Sequence, residues 1–546
     1  MQVGPGALNS SELSETPSPI SNSGLENSPP PQGQRATRFF VGVLWNWVGV
    51  ALNIAIGLLI SPYVARKLGS ERYGIWALVF SLVEYLWFFD LGFNTSVTQF
   101  VAKYRARNEP DQVNRVINTG LLYFCGVAIV FALATLLVAW RGVALFQIAD
   151  PVNREDFRAL ILIAGLGWAV NFPLHFFSSC LDAFQRYDHL TRTWVAQLLI
   201  RSVGCWLLLY FGFGLRELGA VVVLGQLVGN SLAMLAFRSV FPQMRLSPLY
   251  VKFSLVKEMW SYGVHSFVAN VSNLLLNQGA PVMIGHFRLA SFVGYYTFPS
   301  RLLGYSVEAV TRIGFVTRSN VVEMQTKGDE KAVYSLGIYL NRYCVTLFLP
   351  LVIFLLVYGT ELLRRWVNAE FADACGPLLP VISLTTMFAV AGQFNSTSML
   401  YGLSRHDRMA KGLLVEALLG VLGIWLVLPH YGILGVAWVV GMLSVLNRGL
   451  YVPWLVCRAL DSSFAGYMRG IYVRPVLTAI PVLLLALALK GAGVSGHTWP
   501  QLILMGAFTS AAFFLPAFFI CATREHRKLM LHAVASKLTV ADRRGR

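Results

Sequence analysis

Leu181-Asp-Ala-Phe-Gln-Arg186-Tyr-Asp188 and Leu400-Tyr-Gly-Leu-Ser-Arg405-His-Asp407 close two apolar stretches at an offset near 219 residues. The correspondence continues outward. Gly204-Cys-Trp206 meets Gly423-Ile-Trp425 at the same offset, and Leu218-Gly-Ala220 meets Leu434-Gly-Val-Ala437 after a short gap. Upstream, Pro62 matches Pro281, Tyr73-Gly74 falls near Gly294-Tyr295, and Pro110-Asp111 sits opposite Gly328-Asp329. No single match carries weight. Their constant order reads as an internal duplication.

The duplicated unit is apolar. The chain has 546 residues, 56% of them hydrophobic and 13% charged, about half the charged fraction of a soluble protein. A membrane-spanning helix needs about 20 apolar residues. Runs of that kind fall at 39–62, 74–96, 116–140, 158–181, 193–212, 218–240, 259–284, 290–314, 336–358, 377–400, 412–430, 433–456, 472–490 and 500–522. Six spans separate matched segments, an even number, so both halves insert with one orientation. This is a parallel repeat about an axis along the membrane normal, an arrangement that places substrate between the halves. The expected fold is an all-α membrane protein of about fourteen transmembrane helices. It comprises six-helix bundles at 35–245 and 246–460, two additional helices at 461–523, and tails at 1–34 and 524–546.

The N-terminal tail holds Pro29-Pro30-Pro31, Glu12, Glu15 and Glu26, with no Lys or Arg before Arg35. A secretory signal has a basic start and an apolar core, so a disordered cytoplasmic tail is expected, with the first span as insertion signal. The C-terminal tail is basic. With both termini inside, Lys and Arg number 28 in cytoplasmic segments and 11 in external ones, which is the positive-inside bias. Arg66, Lys67 and Arg72 in the first external loop run against it. The bias accounts for the net charge of +17 without a nucleic-acid partner.

Seven cysteines stand singly, without metal-ligand or disulfide spacing, and no phosphate-binding GxxxxGK[ST] occurs. Neither cofactor nor metal is expected. No external loop exceeds about twenty residues in this segmentation, and the single external carboxylate cluster, Asp150, Glu155 and Asp156, reads as a solvated turn. A membrane polysaccharide polymerase or glycosyltransferase would need more than that, so a transporter is the better reading.

Leu68-Gly-Ser-Glu-Arg-Tyr73-Gly74 followed by a span, then Phe89-Asp90-Leu91-Gly92-Phe93, resembles the polysaccharide-transporter branch of the multidrug/oligosaccharidyl-lipid/polysaccharide exporter superfamily. Phe253 to Met259 and Val293-Gly294-Tyr295-Tyr296 share the resemblance, which covers about 39–460. It implies a multi-pass protein of the bacterial cytoplasmic membrane. The implied activity is flipping undecaprenyl-pyrophosphate-linked oligosaccharide for O-antigen, capsule or exopolysaccharide. Its partners would be that lipid, membrane lipids, and polymerase and export machinery. Peptidoglycan-precursor flippases and multidrug exporters are the neighbouring readings. Where relatives often carry an acidic residue late in the seventh span, this chain has Gly279-Ala280-Pro281, which removes the basis for cation coupling there.

Charges inside a bilayer are costly and usually functional. Arg301, Glu308 and Arg312, at i, i+7 and i+11, share one face of the eighth span over roughly 16 Å. Guanidiniums offer bidentate donors to the pyrophosphate that the resemblance implies. The structural alternative pairs Glu308 with Arg312 and lets Arg301 snorkel. Arg201 and Arg448 also sit deep in spans, whereas Arg342 fits an interfacial position. Glu84 and Glu416 are candidates for ion coupling or for pairing with an arginine on another helix. Asp90 fits a structural role. Asn270, Asn273 and Asn277 form a stripe on the seventh span, Trp168, Asn171 and His175 on the fourth, Gln393 and Thr397 on the tenth, and Asn46 and Asn53 on the first. Such stripes suit a sugar-accepting cavity, and they equally suit interhelical hydrogen bonding.

Overall fold

In hydrocarbon every backbone N–H and C=O must be satisfied within the protein, so a spanning segment of this composition folds as a helix. The computed structural model describes residues 32–90, 92–403, 405, 407–494 and 496–528, with backbone alone at 32–48, 86–87, 262–266, 268–269 and 309–319. The expected tails at 1–34 and 524–546 therefore fall largely outside the described residues. The chain divides into Met1–Leu44 and Trp45–Arg546. The packing and sites that follow belong to the second unit.

The helices are α1 (Gln32–Tyr85), α2 (Phe93–Ala106), α3 (Pro110–Leu145), α4 (Pro151–Ala183), α5 (Tyr187–Tyr210), α6 (Leu215–Val240), α7 (Phe253–Phe287) and α8 (Ala290–Thr326). Then follow α9 (Glu330–Trp366), α10 (Ala369–Cys375), α11 (Leu378–Thr386), α12 (Phe394–Gly402), α13 (Asp407–Ser444), α14 (Val452–Ala459), α15 (Phe464–Gly491) and α16 (Trp499–Ile520). Among the described residues there is no strand, only a bridge between Gln147 and Leu289. Start signals in the sequence work as caps. Asp150 precedes Pro151 and accepts from Val152 N at 2.9 Å, and Asp329 accepts from Ala332 N at 2.9 Å.

Ten helices among the described residues are long and apolar enough to cross a membrane, where the sequence segmentation expects fourteen spans. Two of the ten each cover two expected spans. Gly49–Asp90 turns at Gly69 (φ 77°) and Asp407–Ala459 at Gly432 (φ 60°), left-handed conformations open to glycine. The expected seventh and eighth spans correspond to α7 and α8, of 35 and 37 residues, which run through side chains that are not described. The outside is apolar: Trp140, Leu235 and Leu515 are each more than 60% exposed. Lipid, not water, is the solvent for such a surface.

The helices α2 to α6 pack on one another around Phe93, Phe124, Phe172, Phe176 and Phe237. Small residues set the approach: Gly120 faces the Phe176 ring, and Gly167 faces Val223. Further along the chain, α7 packs on α13, α8 on α12, and α9 on α15 and α16.

Backbone landmarks recur 220 residues apart. Positive φ occurs at Asn108 and Gly328, and at Gly212 and Gly432. Contacts recur in the same register. Arg66 Nη2 donates to the Arg365 carbonyl at 3.0 Å, and His286 Nδ1 meets the Leu145 carbonyl at 2.8 Å. Subtracting 220 from 286 and 365 gives 66 and 145, so each contact is the reciprocal of the other. In the same way Gly74 lies against the Ala290 carbonyl, and Gly294 lies beside the Ser70 carbonyl.

Candidate functional site

Arg301 occupies the middle of α8. It opens onto a recess lined by Gly57 and Ser61 of α1, Phe298 and Tyr305 of α8, and Trp366 of α9. The groups acting on its charge are Tyr73, Tyr305 and Glu84. Arg201, from α5, lies within electrostatic reach of Arg301. Glu84 in turn accepts a hydrogen bond from Gln278 of α7. Arg201, Glu84 and Arg301 are all solvent-exposed, although each lies mid-span. Four helices thus bring two guanidiniums and one carboxylate together. The local balance is cationic, and water reaches it. Two guanidinium forks so placed can take a di-anionic group bidentately.

The polar α7 stripe and the lower part of α8 add to this neighbourhood. Asn270, Asn273 and Asn277 are exposed along α7, and Gln278 is the next residue. Asn53 of α1 donates to Glu308 Oε2 at 3.1 Å. The side chains of Asn46 and Arg312 lie outside the described residues.

Other candidates are engaged elsewhere. Asn230 of α6 donates to Asn171 Oδ1 at 2.9 Å and also interacts with His175, so this polar set ties α4 to α6. Gln393 donates to the Tyr472 hydroxyl at 3.0 Å and accepts from Ser396 at 2.7 Å, joining α12 and its preceding turn to α15. Glu416 is buried and receives Asn447 Nδ2 at 2.6 Å and Arg448 Nε at 3.3 Å. Arg448 thus pairs inside the α13 region, on a π-helical turn spanning Val445–Tyr451. Arg342 is buried rather than interfacial, and donates to the Gly470 and Cys521 carbonyls at 2.7 and 3.4 Å. It braces α9 against α15 and the end of α16.

Asp156 differs from its reading as part of a solvated turn. It is buried and accepts from Arg216 Nε at 2.7 Å, with Arg72 at 3.7 Å. Asp90, 8% exposed, accepts from the Asn94 side chain at 2.6 Å. The sequence reading missed Gln278 and the tyrosines around Arg301. Gln278 was readable as an extension of the asparagine stripe. Tyrosine in an apolar run carries no comparable signal.

A polytopic helical chain whose intramembrane charges converge on a hydrated recess is a membrane transporter. The chain belongs to the polysaccharide biosynthesis protein family, which matches residues 39–316, just over half of its length. It is 20% identical over 511 residues to EpsK, an uncharacterized membrane protein of Bacillus subtilis, covering 90% of this chain and 97% of EpsK. It is 19% identical over 423 residues to a Shigella flexneri protein named as an O-antigen transporter, covering 76% of this chain and 97% of that protein. Its fold is that of the lipid II flippase MurJ in an inward closed conformation, with TM-score 0.63 at 11% identity over 88% of this chain and 98% of that one. Family and fold are those of multi-pass transporters, not enzymes.

Proposed function

We propose that this protein flips undecaprenyl-pyrophosphate-linked oligosaccharide, an O-antigen, capsule or exopolysaccharide unit, across the bacterial cytoplasmic membrane by alternating access. The observation that carries this reading is the cationic cluster of Arg201 and Arg301 around Glu84. A pyrophosphate is the anionic headgroup that two guanidiniums suit, and a hydrated cavity lowers the cost of moving it through the bilayer.

In this reading the two halves, 35–245 and 246–460, are six-helix bundles of a fourteen-span protein, and 461–523 adds two helices. Both termini are cytoplasmic, by the charge bias. The Gly74–Ala290 contact then lies at the external end, and outward release requires it to part. Glu84, beside the guanidiniums, weakens headgroup binding enough for release, and it is the coupling candidate that stands at the site. Polymerase and export machinery receive the product.

Replacing Arg301 with Ala tests this. Surface polysaccharide is expected to vanish while the protein stays in the membrane. Normal polysaccharide would remove Arg301 from the mechanism. Rescue of a strain lacking its lipid II flippase would instead establish a peptidoglycan precursor as cargo. A change confined to cationic-drug resistance would establish a multidrug exporter.

A further inference from the structure

We propose that Tyr85 and Tyr305 are a symmetry-related pair of aromatic flanks that hold the sugar rings of the cargo beside Arg301. This rests on the flippase reading.

The two tyrosines are 220 residues apart, the register of the Arg66–Arg365 and His286–Leu145 contacts. Each reaches toward a helix of the other half. Tyr305 of α8 packs on Gly57 of α1, where an added Cβ would fall 2.3 Å from the ring, and its hydroxyl lies 3.2 Å from Ser61 Oγ. Tyr85, at the end of α1, holds its hydroxyl 3.7 Å from the Cβ position of Gly279 on α7. A glycine on the facing helix leaves room for the ring in both cases. Both rings remain partly exposed.

The charges beside them break the symmetry. Arg301 stands one turn before Tyr305, and its repeat position is Ser81. Glu84 precedes Tyr85, and its repeat position is Gly304. The site therefore has a cation on one side and aromatic faces on both. Lipid-linked sugars have the complementary layout, with a di-anionic linkage at one end and pyranose rings after it. A pyranose carries an apolar C–H face and a rim of hydroxyls. The face suits a tyrosine ring. The rim suits the amides of Asn277 and Gln278, next to Gly279 on α7. Ring stacking tolerates changes of sugar stereochemistry, so it grips without demanding one sugar.

The test uses full-length protein in lipid–detergent micelles with two probes, undecaprenyl pyrophosphate and undecaprenyl-pyrophosphoryl-N-acetylglucosamine, with affinity read from intrinsic tryptophan fluorescence. Wild type should bind the sugar-bearing probe about tenfold more tightly, roughly what one or two kcal/mol of aromatic contact provides. Tyr85→Ala and Tyr305→Ala should each erase most of that preference and leave the bare probe unchanged. Tyr85→Phe and Tyr305→Phe should keep it. A preference that survives both alanine variants overturns the proposal. So do phenylalanine variants as defective as alanine, equal losses for both probes, or a wild type without preference. Arg301→Ala should weaken both probes together. If it weakens neither, or wild type binds neither probe, the flippase reading itself fails.

Discussion

Gly74 of α1 and Ala290 of α8 meet so closely that a Cβ on Gly74 would lie 1.8 Å from the Ala290 carbonyl oxygen. The reciprocal position, Gly294, is looser, with its nearest atoms at 3.1–3.3 Å. A backbone atom cannot yield as a flexible side chain does, so the two glycines differ in tolerance. Gly74→Ala is expected to destabilise by about 1–3 kcal/mol, the usual cost of overpacking, and Gly294→Ala by less. Thermal unfolding of the purified variants checks the order. Equal melting temperatures would contradict the close approach.

Arg201 and Arg301 are expected to act on one headgroup. If so, their alanine variants are not additive. A double-mutant cycle on undecaprenyl pyrophosphate binding should return a coupling of about 0.5–3 kcal/mol. Additive losses would separate the two residues. Arg301→Lys should recover only part of the affinity, because an ammonium keeps the charge and loses the bidentate fork.

Glu84→Gln should strengthen binding of an anionic headgroup. The carboxylate offsets one of two guanidiniums, and at a solvent-reached site removing it changes affinity by about 1 kcal/mol, near fivefold. Titration with undecaprenyl pyrophosphate reads the change. Weaker binding in the variant would mean that Glu84 organises Arg301 more than it opposes the anion.

Arg448→Ala strands the Glu416 carboxylate, which is 3% exposed. Breaking a buried pair from one side costs about 3–5 kcal/mol. Pairing the change with Glu416→Gln should restore much of the stability, since no buried charge then remains. Melting of the single and double variants checks this, and a double variant as unstable as Arg448→Ala would show that the pair is not the cause.

The candidate site was partly legible in the sequence. Arg201, Arg301 and Glu84 stood out because charge inside an apolar run is rare, and they converge. Arg448 and Glu416 stood out for the same reason, yet they satisfy each other. Gln393, Asn171 and His175 carried the same polar-stripe pattern as Asn270 to Asn277, but they join helices to one another. A stripe fixes a direction around one helix axis. It does not tell what stands opposite.

Sequence by itself determined the helical membrane class, because hydrocarbon leaves the backbone no partners but its own. It also determined the register of the repeat, because Tyr73-Gly74 and Gly294-Tyr295 keep their spacing. Tertiary structure alone decided which intramembrane charges share a recess. Glycine contacts such as Gly74 on Ala290 and Gly57 on Tyr305 fix how closely and at what rotation helices meet. That rotation turns Arg301 toward Arg201 and Glu84, and turns Arg448 toward Glu416.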